Sequence, residues 1–493
     1  MPVPEELSRE ELVSQLAARD RRIAELEAAN AELAARLARL EHLLSRNSGN
    51  SSAPPSRDED PGKPAPPQKK RRGSGRSRGK QSGAAGMNLA WTERPDKRED
   101  RFPAGWCGCG ADLAAARDLG VVDRYQQHEI PQVAVAVTQY DQHQVACRGC
   151  GAVHTAARPE GARPGPVGYG PNLQALAVYL LVVHHLPAHR VVAVLESLTG
   201  AAPSVGFVHS MIGRAAAVLA QVHQRIQALV ALAYAVCCDE TPLKVGPATP
   251  RPGKKKAQRY LLVFCTELYT HYLLGDRDLD TFKASVLAER ATAGGIVVHD
   301  RYQNYDSDVF AGLVHQLCCA HLLRDLDAAA QLYPDAIWPG QVARSLRELI
   351  HEANLAREQG LPAVPAQVRD PLVVRFRHGV LAGLADTRDH GDRPGERKAR
   401  LLLETLRDRR ADVLRFVDDL RIPPTSNRAE RDLRPAKVQQ NISGRLTSAE
   451  RTQDRYTIRG YVSTAIKHGH DALTVLREAI TGNPWMPALP APT

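Results

Sequence analysis

The sequence predicts a multidomain α/β protein whose central sheet presents acidic residues at its strand ends. Three observations predict it. First, two apolar runs end on carboxylates. Ala235–Val245 (A-V-C-C-D-E-T-P-L-K-V) reads as a short buried strand that stops at Asp239, before the strand-breaking Pro242, and Gly295–Asp300 (G-I-V-V-H-D) repeats the device. Second, the apolar runs Arg259–Thr266 and Tyr269–Leu274 lie close enough for a hairpin, and Phe282–Arg290 reads as a helix. Third, Glu430 sits in P-P-T-S-N-R-A-E-R-D-L-R-P, where Pro423 and Pro424 end one element and Ser426 or Asn427 can cap a new helix. Three meandering strands, a crossover helix and a fourth strand parallel to the first form the ribonuclease-H-like order. It places Asp239 and Asp300 on neighbouring strands with converging carboxylates. Two aspartates at strand ends and a glutamate on a later helix are the parts of a two-metal phosphoryl-transfer site.

The bulk properties bound the rest. A chain of 493 residues exceeds the size at which single cores stop growing, so several domains are expected. The longest apolar run, Leu173–Val183, is too short to span a bilayer, and Met1–Arg9 leads into charged residues without a signal-peptide pattern, so a cytoplasmic protein with no membrane partner is expected. Of the net charge of +10, most belongs to residues 61–80, where Lys63, Lys69, Lys70, Arg71, Arg72, Arg76, Arg78 and Lys80 occur with no acid. Basicity confined to a tail-like segment suits a polyanion-binding arm, or a solvated linker.

Taken in order, the chain opens with a capping box at Ser8–Glu11 and a heptad over 8–46. Leu16, Ile23, Asn30, Leu37 and Leu44 form one row; Leu12, Leu26, Leu33 and Leu40 form the other, interrupted by Arg19. An oligomerisation helix is expected, with Asn30 fixing register and favouring a parallel dimer. Residues 47–101 are rich in Ser, Gly and Pro and read as a basic linker without fixed structure. Residues 102–158 carry Cys107 and Cys109, then a strand-like alternation from Val133 to Thr138, then Cys147 and Cys150. Two glycine-punctuated knuckles with an intervening hairpin can bring four thiolates round a structural Zn²⁺, with His128, His143 and His154 as spare candidates. Residues 165–230 hold three short helices, the second at Arg190–Thr199 and the third from Val205 to about Val218, joined by Gly/Pro turns. These suit a helix-turn-helix unit on DNA or an ordinary helical bundle.

The catalytic sheet is expected over 231–320 and 421–470. Lys254, Lys255 and Lys256 lie in the loop before its second strand, within reach of a phosphate backbone. A further short strand covers Leu313–Leu317. Beyond it, Cys318 and His321 read as a packed cysteine and a hydrogen-bonded histidine, with metal ligation as the alternative. Residues 321–420 are helix formers and read as an insertion, with a polar loop at Arg393–Lys398. Arg434 and Lys437 follow Glu430 on its helix, where they could hold phosphates; a simple surface ion pair between Glu430 and Arg434 fits equally well. Residues 471–493 read as a C-terminal tail, extended and Pro-rich from Asn483 onward.

These residues together resemble the transposases of insertion-sequence family 66. The resemblance covers roughly residues 10–485 and rests on the N-terminal leucine helix, N-S-x-x-S-S-x-P-P-S-x-D (Asn47–Asp58) and the cysteine knuckles. It continues through L-x-x-H-R (Leu186–Arg190), D-E-T-P (Asp239–Pro242), H-D-R-Y-x-x-Y (His299–Tyr305), C-x-A-H-x-x-R-D (Cys318–Asp325) and N-x-A-E-R-D-L-R-P (Asn427–Pro435). The last four in this order are specific together. Val438-Gln-Gln-Asn-Ile-Ser departs from the R-K-N-W-L-F-like stretch of many relatives. The resemblance implies that Asp239, Asp300 and Glu430 are the DDE acids, holding two Mg²⁺ ions and acting on the element's terminal inverted repeats and on target DNA. It also implies a bacterial, nucleoid-associated protein, with accessory proteins of the same element as possible partners. A structure-specific nuclease, or a DNA-binding regulator with relic acids, are the rival readings.

Overall fold

The computed structural model describes residues 89–131, 133–158, 165–388 and 394–489, with isolated positions between 19 and 32. Those isolated positions (Arg19, Ile23, Leu26 and Asn30 among them) are helical and exposed. The rest of the heptad, most of the linker, and Lys69, Lys70, Arg71 and Arg72 lie outside the described residues. The chain divides into two compact units, one of residues 63–135 and one of 1–62 with 136–493.

In the larger unit a short hairpin, β1 (Gln144–Ala146) and β2 (Val153–Thr155), precedes four helices: α1 (Pro171–Val178, continued by a π-helical turn to Val183), α2 (Ala188–Thr199), α3 (Val205–Val218) and α4 (Ala220–Leu232). Local signals set their bounds. Pro171 opens α1, Gly200 ends α2 in the left-handed region, and the Ser204 hydroxyl accepts the Phe207 amide to start α3. The main sheet follows with β3 (Ala235–Leu243), β4 (Arg259–Cys265) and β5 (Thr270–Gly275). After α5 (Leu279–Lys283) and α6 (Leu287–Thr292) come β6 (Ile296–His299) and β7 (Val314–Leu317). The order is β5-β4-β3-β6-β7; β3 runs antiparallel to β4 and parallel to β6, and β6 parallel to β7.

Five helices form a second hydrophobic core: α7 (Cys319–Leu332), α8 (Trp338–Glu358), α9 (Ala366–Asp386), α10 (Pro394–Asp408) and α11 (Arg410–Asp418). The chain then returns through α12 (Asn427–Ser443), α13 (Ala449–Lys467) and α14 (Ala472–Ile480).

Each face of the sheet has its own cover. Val236, Cys238 and Val297 pack with α1–α4, α13 and α14, so residues 165–230 share one core with the sheet. Cys237, Leu243, Ile296 and Val298 pack with Ala429, Leu433 and Ala436 of α12. The buried guanidinium of Arg290 donates to the carbonyls of Val230, Ala231, Ala233, Tyr234 and Ile296, which ties the starts of β3 and β6 together. At the β5 edge α13 approaches so closely that a Cβ on Gly460 would sit 3.0 Å from the Thr270 carbonyl oxygen.

Several expectations are corrected. Strand β3 does not stop at Asp239 but continues through Pro242 to Leu243. The parallel ladder to β6 ends at the Cys237–Val298 pair, so beyond it the proline's missing N–H leaves no acceptor unmatched on that side, while pairing with β4 continues to Leu243–Arg259. The crossover is two short helices rather than one over Phe282–Arg290. Residues 394–398 open α10 rather than forming a loop, and 472–480 form a helix whose Ala472, Val475, Leu476 and Ala479 are buried. Val133–Thr138 forms no strand: its valines are exposed, and the hairpin instead flanks the second cysteine pair. Among the described residues, no single helix is long and apolar enough to cross a membrane.

Candidate active site

Asp239 and Asp300 are brought together by register. The β3–β6 pairing runs Ala235–Ile296 to Cys237–Val298, and carried two residues further it sets Asp239 level with Asp300. Neighbouring strands lie roughly 4.8 Å apart, and the period of two puts both acids on the face of Cys237 and Val298, towards α12. Each carboxylate is fixed by a nearby amide: Asp239 Oδ1 accepts from Glu240 N at 2.8 Å, and Asp300 Oδ1 from Tyr302 N at 2.9 Å. Burial, followed by the Asp300 charge, pushes Asp239 up to about 6, while His321, the Glu240 amide and Lys437 oppose the shift.

Glu430 lies in the first turn of α12, and the loop before it is stitched to the two strand ends. Cys318 N donates to the His299 carbonyl at 2.8 Å, Cys319 N to Pro424 O at 2.9 Å, and Ser426 N to Cys318 Sγ at 3.2 Å. Cys237 Sγ lies 3.8 Å from Thr425 O. Ser426 is the N-cap residue but makes no side-chain cap bond; its backbone amide is held by the cysteine instead. The Glu430 carboxylate pairs with Arg324 of α7 at 3.5 Å and with Arg434 at 4.0 Å. Glu430, Arg434 and Lys437 share one stripe of α12 beside its buried Ala429–Leu433–Ala436 face, and from there Lys437 acts on Asp239.

Three site residues escaped the sequence reading. Glu240, on the opposite face from Asp239, has a side chain only 2% exposed; it is clamped by Arg277 at 2.6 Å and accepts the Tyr305 hydroxyl at 3.2 Å. Burial and the Asp300 charge push it up to about 8 despite Arg277. Arg277 in turn lies 3.7 Å over the Tyr302 ring. Arg324 had its signal in the R-D of C-x-A-H-x-x-R-D, but nothing local named Glu430 as its partner. His321 does hydrogen-bond to buried Cys318, as expected. Burial alone would lower it, yet that bond and the charges of Asp300 and Asp239 raise it to about 9. The two aspartate charges thus favour the protonated imidazole of His321.

The candidate cation ligands separate by chemistry. Asp239, Asp300 and Glu430 offer oxygens alone. Among the described residues, the triad with ligand atoms all within 4.8 Å of one another is instead His299, Asp306 and His315. A site for two ions about 4 Å apart is wider than such a cluster. Each cysteine knuckle is described by itself. Gly110 N bonds to Cys107 O, and Gly151 N to Cys147 O, both at 2.8 Å, and both glycines have positive φ; the second turn is one residue longer than the first. All four thiols are exposed; Cys107 is lowered by the Cys109 amide and Cys147 by the Cys150 amide. Of the expected DNA-binding cations, Lys255 and Lys256 are exposed, Lys254 pairs with Asp276 and Asp278, and Arg434 is 70% exposed.

Two family models match the chain. One, described as a family of unknown function (DUF6444), covers residues 2–90, and the other, described as Transposase IS66 family, covers residues 167–454. No curated protein matches. The second match spans the sheet, the insertion and the helix of Glu430, which is the whole frame of the candidate site; the chain belongs to the IS66 family of transposases.

Proposed function

We propose that this transposase binds the ends of its insertion sequence and carries out metal-dependent DNA cleavage and strand transfer, using Asp239, Asp300 and Glu430 on a ribonuclease-H-like core. The observation that carries this reading is the stitching of three strand and helix ends by Cys318 and Cys319. It anchors the start of the Glu430 helix beside the level pair of aspartates. The strand order supports the ribonuclease-H-like assignment.

An all-oxygen donor set suits Mg²⁺, and a bound cation would relieve both the burial penalty and the Asp300 repulsion that raise Asp239. When bound, two Mg²⁺ ions supply activation of the attacking hydroxyl and stabilisation of the leaving oxygen. Asp239 and Asp300 would hold the cations from a rigid sheet, and Glu430 would complete the set from α12. The attacking groups are water and then a DNA 3′-hydroxyl, so no nucleophilic side chain is needed. Lys437 and Arg434, on the same stripe as Glu430, neutralise backbone phosphates, and charged His321 balances the aspartates. Around this core, Lys69, Lys70, Arg71, Arg72, Lys254, Lys255 and Lys256 bind the DNA backbone, and each cysteine knuckle offers two thiolates to a structural zinc. The 8–46 heptad makes a homodimer or higher oligomer, in a cytoplasmic, nucleoid-associated protein that works with the element's accessory proteins.

The test is cleavage and joining of DNA carrying the element's ends, with Mg²⁺, comparing the wild type with Asp239→Asn, Asp300→Asn and Glu430→Gln. Each variant is expected to lose nicking and strand transfer while binding the ends as before. Loss of end binding by all three would make the acids structural. Cleavage without joining in the wild type would favour a nuclease.

A further inference from the structure

A second polar cluster lies on the sheet face turned away from α12. His299 ends β6 and His315 lies in the parallel neighbour β7, with the register Val297–His315 and His299–Leu317. His299 Nε2 lies 2.9 Å from His315 Nδ1, which lies 4.0 Å from Oδ1 of Asp306, in the turn Gln303–Asp306. The other carboxylate oxygen of Asp306 is held at 2.8 Å by Arg409, leaving Oδ1 turned to the imidazoles. His299 is fully buried, stacked on Tyr305, and its Nδ1 has no hydrogen-bond partner. A pocket of about 420 Å³, lined by Asp306, Asp308, His315 and Arg409, opens on the cluster from solvent.

We propose that His299, His315 and Asp306 form a binding site for a divalent ion of the zinc type, on the opposite sheet face from the DDE acids. Zinc sits roughly 2.0–2.2 Å from nitrogen and carboxylate ligands, so donors up to roughly 4.2 Å apart fit round one ion. The 2.9 and 4.0 Å spacings fall inside that span, and all three donor atoms lie within 4.8 Å of one another, so a shift of the Asp306 carboxylate by a few tenths of an ångström closes the set round an ion. Two imidazoles and one carboxylate suit zinc and disfavour Mg²⁺, which prefers oxygen donors. The pocket gives water access to a fourth position, and the ion would lock the end of β6, one residue from Asp300, to β7. Nothing in this site depends on the strand-transfer reading.

The experiment counts zinc bound per full-length chain by elemental analysis after dialysis against trace Zn²⁺ with excess Mg²⁺. The wild type is compared with Asp306→Asn, His315→Gln and Arg409→Gln. Asp306→Asn and His315→Gln are expected to hold one zinc fewer than the wild type, with affinity at that site at least roughly tenfold weaker. Arg409→Gln, which frees the Asp306 carboxylate, is expected to bind more tightly. Substituted Co²⁺ is expected to show a visible band without thiolate charge transfer, lost in the same two variants; this separates the site from the cysteine knuckles. Asp306 is 37% exposed, so its variant folds even where a change at His315 disturbs β7. Unchanged zinc content in a folded Asp306→Asn protein overturns the proposal, as does loss of all bound zinc on Cys147→Ser with Cys150→Ser.

Discussion

Two faces of one sheet put adjacent residues to opposite uses. Asp239 and Asp300 look towards α12, partly exposed and held only by amides, with Lys437 and His321 as nearby cations. Glu240 and His299, their immediate neighbours in sequence, look the other way, where Glu240 is closed off by Arg277 and Tyr305 and His299 meets His315. The first face sets two like charges side by side with cations near by; the second clamps its carboxylate between an arginine and a tyrosine hydroxyl. The difference teaches that strand alternation alone can send carboxylates one residue apart into opposite surroundings.

The largest expected effect breaks the comparison on the reactive side. Asp239→Asn is expected to abolish strand cleavage while stabilising the metal-free protein. A carboxyl whose folded pKa is raised from the ordinary carboxylate range to about 6 binds more protons folded than unfolded between about pH 4 and 6. Its penalty is therefore absent below pH 4 and complete above pH 6. Chemical denaturation of wild type and Asp239→Asn across that range should show the variant's advantage growing with pH, by up to about 1.4 kcal/mol per unit, then levelling. A flat difference would mean that burial and the Asp300 charge do not raise Asp239.

On the supporting face the sign reverses. Arg277→Ala leaves Glu240 buried without its partner; because Glu240 is pushed up to about 8, the expected cost of about 3 kcal/mol appears above pH 8, where the carboxylate is charged, so the comparison is made at about pH 9. Measured urea midpoints for Arg277→Ala and Asp239→Asn should thus move in opposite directions. Movement in the same direction would dissolve the distinction between the faces.

A comparable effect lies beneath the sheet. His185 is buried, adopts a left-handed φ of 61°, and is lowered to about 4 by burial and by Arg459 and Arg455. Between about pH 6.5 and 4 the unfolded chain binds the proton that the folded chain refuses, so stability is complete above 6.5 and falls as the solution is acidified. His185→Asn tolerates the same backbone and cannot titrate, so it should remove up to about 3 kcal/mol of acid sensitivity, read from Tm at pH 7 and pH 4.5.

What the sequence made legible were the features with local signals. Ser204 marked the start of α3 and its turn residues marked its neighbours, while apolar runs marked β4, β6 and β7. What it hid depends on residues far apart in the chain. Pro242 is tolerated in β3 only because β6 has already ended beside it. Glu240 and Arg277 are 37 residues apart, and the Ser426–Cys318 bond that seats the Glu430 helix spans 108. The valines from 133 to 138 carry the strand period without a partner strand, so period alone misled.

The smallest effect on stability is the sharpest on role. Arg434 lies 4.0 Å from Glu430 and is 70% exposed, so the pair contributes little, and Arg434→Ala is expected to shift stability by under about 0.5 kcal/mol. If the α12 stripe meets phosphate, the same substitution should weaken DNA binding irrespective of sequence and reduce the slope of log affinity against log salt by about 1. Arg324 should behave otherwise: its side chain is half as exposed and reaches Glu430 from another helix, so its loss frees the carboxylate itself. A salt slope unchanged by Arg434→Ala would return that arginine to the role of a solvated surface ion pair and leave Lys437, the cation that acts on Asp239, to carry the phosphate contact alone.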